Sequence, residues 1–171
     1  MDIYMEHIVV KKKGIKEYLL IAAIFLVTVI LMSAAGLFLF SSFGSIAFIA
    51  TIGIVAGSYY LITSFNMEYE YIFTNGELDI DSISNRRKRK RLITISAKNF
   101  DIVAPVGTSE FANEENASFT RVINVASFDR AENAYFAVFS KDGQRIKLIF
   151  EPTEKMLESF KIFAPKSIHT K

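Results

Sequence analysis

From Leu19 to Phe65 the chain carries not one Asp, Glu, Lys, Arg or His, although its 171 residues include 20 basic and 18 acidic side chains. An uncharged run of this length is too large an apolar surface for a water-soluble domain to leave exposed. It divides at Ser41-Ser42-Phe43-Gly44-Ser45 into two segments, 19–40 and 46–65. At ~1.5 Å per helical residue these reach about 33 and 30 Å, each enough for a hydrocarbon core of ~30 Å. Two transmembrane helices in a tight hairpin are expected. A cleaved signal peptide needs an apolar stretch of only about 7–15 residues, so a longer one followed at once by a second span does not fit. The absence of cysteine excludes a disulfide framework, a thiolate metal site and a Cys nucleophile.

Basic flanks set orientation. Lys11, Lys12, Lys13 and Lys16 precede the first span, Arg86-Arg87-Lys88-Arg89-Lys90-Arg91 follows the second, and the connector is uncharged. Positive flanks stay inside, so both termini are expected in the cytoplasm of a multi-pass cell-membrane protein. Tyr18, Tyr59 and Tyr60 lie where an interfacial aromatic belt belongs. Gly53 and Gly57 form a GxxxG on the second span, which lets helix backbones approach closely. It serves either packing against the first span, the simpler reading, or docking to a partner, including another copy of this chain.

The expected organisation is thus a cytoplasmic segment 1–18, a helical hairpin 19–65 and a cytoplasmic domain 66–171. In the domain, Met67–Thr74 and Glu77–Ser84 alternate around Asn75-Gly76, a strong hairpin signal. This register puts Tyr69, Tyr71, Phe73, Leu78 and Ile80 on an inner face and Glu68, Glu70, Glu77, Asp79 and Asp81 on a wet one. Further strands are expected over 91–97, 100–106, 119–126, 135–140 and 145–150, the last two as a hairpin about Asp142-Gly143, with a polar loop over 107–118. Glu151-Pro152-Thr153-Glu154 starts a helix that carries Met156, Leu157, Phe160 and Phe163 at helical spacing and stops at Pro165. Seven mostly antiparallel strands and one amphipathic helix suggest that the helix plugs an open end of the sheet.

Two spans, then Tyr71-Ile72-Phe73-Thr74-Asn75-Gly76-Glu77-Leu78, a basic turn, Phe100-Asp101-Ile102-Val103, and a last strand running into Glu151-Pro152 and a helix resemble the bacterial pleckstrin-homology-like (PH-like) membrane proteins. More closely, the starting MDIYMEHIV, YEYIFTNGELDID and LIFEPTEKML segments are similar to an uncharacterised Gram-positive family of two-span membrane proteins, over nearly the whole chain. The resemblance implies an α+β membrane protein with a PH-like barrel or half-barrel, no catalytic residue, and binding of lipids, peptides or proteins.

Without residues 86–91, the chain from residue 66 onward has 10 basic and 15 acidic side chains. An acidic body with one basic turn beside a membrane reads as a surface for anionic lipids, each cation contributing about 1 kcal/mol. Lys11, Lys12 and Lys13 add to it. Fixing topology is the competing role for the same cations. Nucleic acid is disfavoured, since the run has no interleaved aromatics and the rest of the domain repels phosphate. The two histidines, His7 and His169, lie near the ends, so neither a general base nor a metal cage is readable, and no cofactor is expected. The first ten residues either lie on the membrane, add to the sheet, or fray. The function expected is a non-catalytic membrane adaptor. The alternative is an accessory subunit of a larger membrane complex, docked through Gly53 and Gly57 to an unknown protein partner.

Overall fold

The computed structural model describes residues 2–128 and 131–170. They form two compact units, Lys13–Met67 and the residues up to Lys12 together with those from Glu68 onward.

The first unit is a helical hairpin. Helices α1 (Ile15–Phe38) and α2 (Gly44–Ser64) are long and apolar enough to cross a membrane. Thr28 Oγ1 and Ser58 Oγ lie 2.6 Å apart and join the two helices by a hydrogen bond. Within apolar surroundings such a contact fixes the rotation of each helix about its axis. On α2, Ala47 is buried and Thr51, Ile54 and Ser58 are half-buried, at helical spacing, which marks the side that meets α1.

The second unit holds two four-stranded sheets. In the first the order is β1 (Tyr4–Val10), β2 (Met67–Thr74), β3 (Glu77–Ser84), β4 (Lys88–Ser96). In the second it is β5 (Phe100–Pro105), β7 (Tyr135–Lys141), β8 (Gln144–Phe150), β6 (Arg121–Asn124). The β2–β3 and β7–β8 turns are the two-residue loops expected, with positive φ at Asn75, Gly76, Asp142 and Gly143. Across the second hairpin Tyr135 faces Phe150, Ala137 faces Leu148 and Phe139 faces Ile146, as the alternation requires.

Two features correct the seven-stranded barrel or half-barrel. The first is an eighth strand: β1 pairs antiparallel with β2 from Tyr4 opposite Thr74 to Val10 opposite Glu68. Met5, His7 and Val9 alternate with exposed neighbours, so Tyr4–Val10 add to the sheet, one of the three readings open for this segment. The second is that the sheets do not close into a barrel. A 3₁₀ turn at Ala97–Asn99 carries the chain from β4 to β5 without pairing them, and β6 lies parallel to β8 at the edge of its own sheet.

Helix α4 (Glu154–Phe163) starts at Thr153, whose side chain accepts a hydrogen bond from Met156 N. It plugs the space between the sheets. Fully buried Phe160 packs on Phe73 of the first sheet, with ring centroids 4.8 Å apart, and on Phe100 and Phe150 of the second, at 5.8 and 6.3 Å. The segment expected as a polar loop instead covers the outside of the second sheet. It includes the short helix α3 (Ala112–Glu115), and Phe111 and Phe119 pack over Ala104, Phe136 and Val138.

Candidate functional site: the basic β3–β4 hairpin

The basic run is not simply a turn. Asn85, Arg86 and Arg87 make the bend, with Arg87 N donating to Ser84 O, and Lys88–Arg91 begin β4. Asn85 and Arg86 both have positive φ, a conformation that costs an ordinary L-residue about 1–2 kcal/mol.

A bulge decides what each cation meets. Ile80 faces Ile93 but Asp81 faces Arg91, leaving Leu92 as the extra residue. In an unbroken register Asp81 would face Leu92. The slip instead delivers alternate arginines to the acids of the outer face. Arg91 Nε pairs with Asp81 Oδ1 and its Nη1 lies 2.6 Å from Asp79 Oδ1. Arg89 Nη2 donates to Glu70 Oε1 at 2.7 Å and Arg86 Nε to Glu68 Oε1 at 3.2 Å. Arg87, Lys88 and Lys90 are exposed and their side chains take no acidic partner among the described residues. One run therefore splits into three cations spent on the protein's own carboxylates and three left to solvent.

This corrects the wet acidic face at two of its five residues, while Glu77 stays exposed. Glu70 and Asp81 are each only 2% exposed, since β1 flanks Glu70 on one side and the arginine stems cover both. Burial raises the pKa of Glu70 above the ordinary glutamate range; Arg89 opposes this, while Glu6 and Asp81 reinforce it. Its second oxygen, Oε2, is buried without a hydrogen-bond partner among the described residues.

Lys11 and Lys12 follow β1 at the end of the sheet where Val10 faces Glu68, the residue that holds Arg86. Both are exposed. They therefore join the basic hairpin at one end of the first sheet. Lys13 belongs to the helical unit. Gly53 and Gly57 lie away from the side of α2 that meets α1: a methyl group added at either would touch nothing within 4 Å. His7 rests on Tyr71 and His169 on Phe111, with centroids 5.9 and 4.6 Å apart.

Two small sheets plugged by a C-terminal helix, with a basic hairpin at one end, define a PH-like domain, here joined in sequence to two helices fit to cross a membrane. The chain belongs to the family described as bacterial PH-like domain (DUF6106), whose model matches residues 1–170. Searches of curated proteins and of solved structures gave no match.

Proposed function

We propose that this protein is a non-catalytic, membrane-anchored binding module, an adaptor whose PH-like domain is oriented on the inner leaflet by its basic hairpin, both termini being cytoplasmic. The observation that carries the reading is the set of cations without an acidic partner among the described residues, Arg87, Lys88 and Lys90, with Lys11 and Lys12 at the same end of the sheet. Because the chain is already tethered, these charges need only orient the domain. About 1 kcal/mol each on an anionic surface suffices for that, and the paired arginines contribute little since their charge is already met.

The test is direct because the chain has no cysteine of its own. A fluorophore at Ser84→Cys, in full-length protein in nanodiscs, should be quenched by spin-labelled head groups when the lipid is anionic. Salt and a phosphatidylcholine bilayer should both relieve the quenching. Equal quenching in anionic and zwitterionic bilayers would sink the proposal.

One observation favours a second reading, an accessory subunit of a larger membrane complex. Gly53 and Gly57 have open space beside them rather than α1, so their smallness serves a helix other than the chain's own. Gly53→Leu with Gly57→Leu should abolish crosslinking to a membrane partner, or to a second copy, while leaving the Ser84 probe unchanged. Retained crosslinking would reject that role for the pair.

A further inference from the structure

Among the described residues, three of the six large apolar side chains exposed in the second unit stand on one strand. They are Tyr4, Ile8 and Val10 of β1, 64%, 47% and 59% exposed. Met5, His7 and Val9 alternate with them, and Val9 is buried in the core. The outer row of an edge strand on a wet face is ordinarily polar, and charge there also blocks pairing with other chains. In β1 that row holds a single charge, Glu6, which divides it. On one side Tyr4 has a use within the protein, since its hydroxyl donates to Glu6 Oε2 at 2.9 Å. On the other side Ile8 and Val10 have purely aliphatic side chains left to solvent.

Their place in the chain says what meets them. Val10 faces Glu68 at the end of β1, and the exposed Lys11 and Lys12 come directly after it. Five residue steps separate Val10 from Ile15, where α1 starts, and four separate Glu68 from Ser64, where α2 ends. In a chain whose α1 and α2 cross a bilayer, a reach of ~3.6 Å per step leaves Val10 no more than about 18 Å, and Glu68 no more than about 14 Å, from the interface. Tyr4 lies about 20 Å further along the strand. The acids beside the aliphatic pair are already neutralised: Arg86 holds Glu68, and Arg89 holds Glu70, the residue opposite Ile8. Aliphatic side chains with met carboxylates beside them and lysines after them suit an anionic membrane interface.

We propose that Ile8 and Val10 insert among the head groups and upper acyl chains of the inner leaflet, so that β1 anchors the domain by apolar contact beside the cations that orient it. This rests on the reading that the domain is seated on the leaflet, and it adds a second kind of contact to that seat. The two contacts differ in their response to salt. Ionic attraction at an exposed surface is screened, whereas burial of aliphatic surface is not weakened by salt.

The experiment uses the full chain in nanodiscs of phosphatidylcholine with phosphatidylserine. A fluorophore at Val10→Cys should be quenched by a nitroxide placed near the top of the lipid acyl chain. The same fluorophore at Tyr4→Cys, on the same row of the same strand, should not. Ile8→Thr with Val10→Thr keeps the β-branched shape that strands favour, and both positions are exposed, so this variant should melt with the wild type. It should weaken seating roughly tenfold, read as a lower salt concentration at which head-group quenching of the Ser84 probe is half lost. Equal quenching of the Val10 and Tyr4 probes, or an unchanged salt midpoint in the double variant, would overturn the proposal. So would a Val10 probe shielded from water but untouched by the lipid nitroxide, which means that a protein or a second copy covers the strand. An unquenched Val10 probe with Ser84 quenching intact refutes the insertion and leaves the lipid seat standing; loss of both refutes the seat as well.

Discussion

Neutralising residues 86–91 in two sets of three should give two different failures. Arg87, Lys88 and Lys90, changed to Gln, are the cations of the run without acidic partners among the described residues. At about 1 kcal/mol each on an anionic leaflet the loss is ~3 kcal/mol, on the order of 150-fold in the seating equilibrium. A domain seated roughly 99:1 would fall to about 2:3, and the head-group quenching of the Ser84 probe would fall with it while the melting temperature held. Arg86, Arg89 and Arg91, changed to Gln, should do the reverse. The side chains of Glu70 and Asp81 are 3% exposed and lose their charged partners, whereas Arg89 and Arg91 are 55% and 48% exposed. Solvent screening at the arginines brings the penalty for stranding each carboxylate down to about 1–2 kcal/mol. The sum of ~2–4 kcal/mol corresponds to a melting temperature lower by roughly 8–16 °C for a unit of this size. Near-ultraviolet dichroism reads the melt, as the chain has seven tyrosines and no tryptophan. If the two sets lowered quenching equally and neither moved the melt, the division of the run into paired and free cations would be wrong.

Three further outcomes follow from the same structure. Burial raises the Glu70 pKa above its ordinary 4.5, so the folded form holds this proton more tightly than the unfolded one; the stability it contributes is full below about 4.5 and is lost as pH rises through the folded value. Glu70→Gln should remove that fall from the stability–pH profile, and an unchanged profile would exclude Glu70 as its source. Phe160→Ala empties a fully buried position between both sheets and should cost about 3–5 kcal/mol, against under ~0.5 kcal/mol for Ile162→Ala, 68% exposed on the same helix; similar losses would contradict the plug. Gly76→Ala combines a positive φ with a methyl group 2.8 Å from Phe163 Cδ1 and should cost about 2–4 kcal/mol, whereas Gly143→Ala has open space and only the backbone strain of about 1–2 kcal/mol. Chemical denaturation should rank the two glycines in that order.

What was legible in the sequence was local. The two long apolar helices are set by composition, the hairpins at Asn75-Gly76 and Asp142-Gly143 by turns that need positive φ, and α4 by its cap and apolar spacing. The inner-face residues Tyr69, Tyr71, Phe73, Leu78 and Ile80 are all buried as alternation demands. The pairings left open or missed are those between segments far apart in the chain. β1 reaches β2 across the whole helical hairpin, and the parallel contact of Arg121–Asn124 with β8 has no turn to announce it. The segment from 107 to 118 read as polar because its acids and asparagines outnumber Phe111, yet Phe111 and Phe119 are what seat it over the second sheet.

At the candidate site the decisive fact is the least visible one. Six consecutive cations look equivalent as a string, and a strand with period two would sort them into two sets by parity alone. Parity does not say which set meets the acids, because a one-residue slip exchanges the faces. The bulge at Ile80 and Asp81, opposite Leu92, makes that choice. It turns Arg89 and Arg91 to Glu70 and Asp81 and leaves Lys88 and Lys90, with Arg87 at the bend, exposed and without an acidic partner among the described residues. Both lysines in the run thus fall in the free set, and the positions held against buried carboxylates are arginines, whose forked guanidinium suits a carboxylate better than an ammonium does. Arg87 alone departs from that division, and it stands in the turn rather than in the strand.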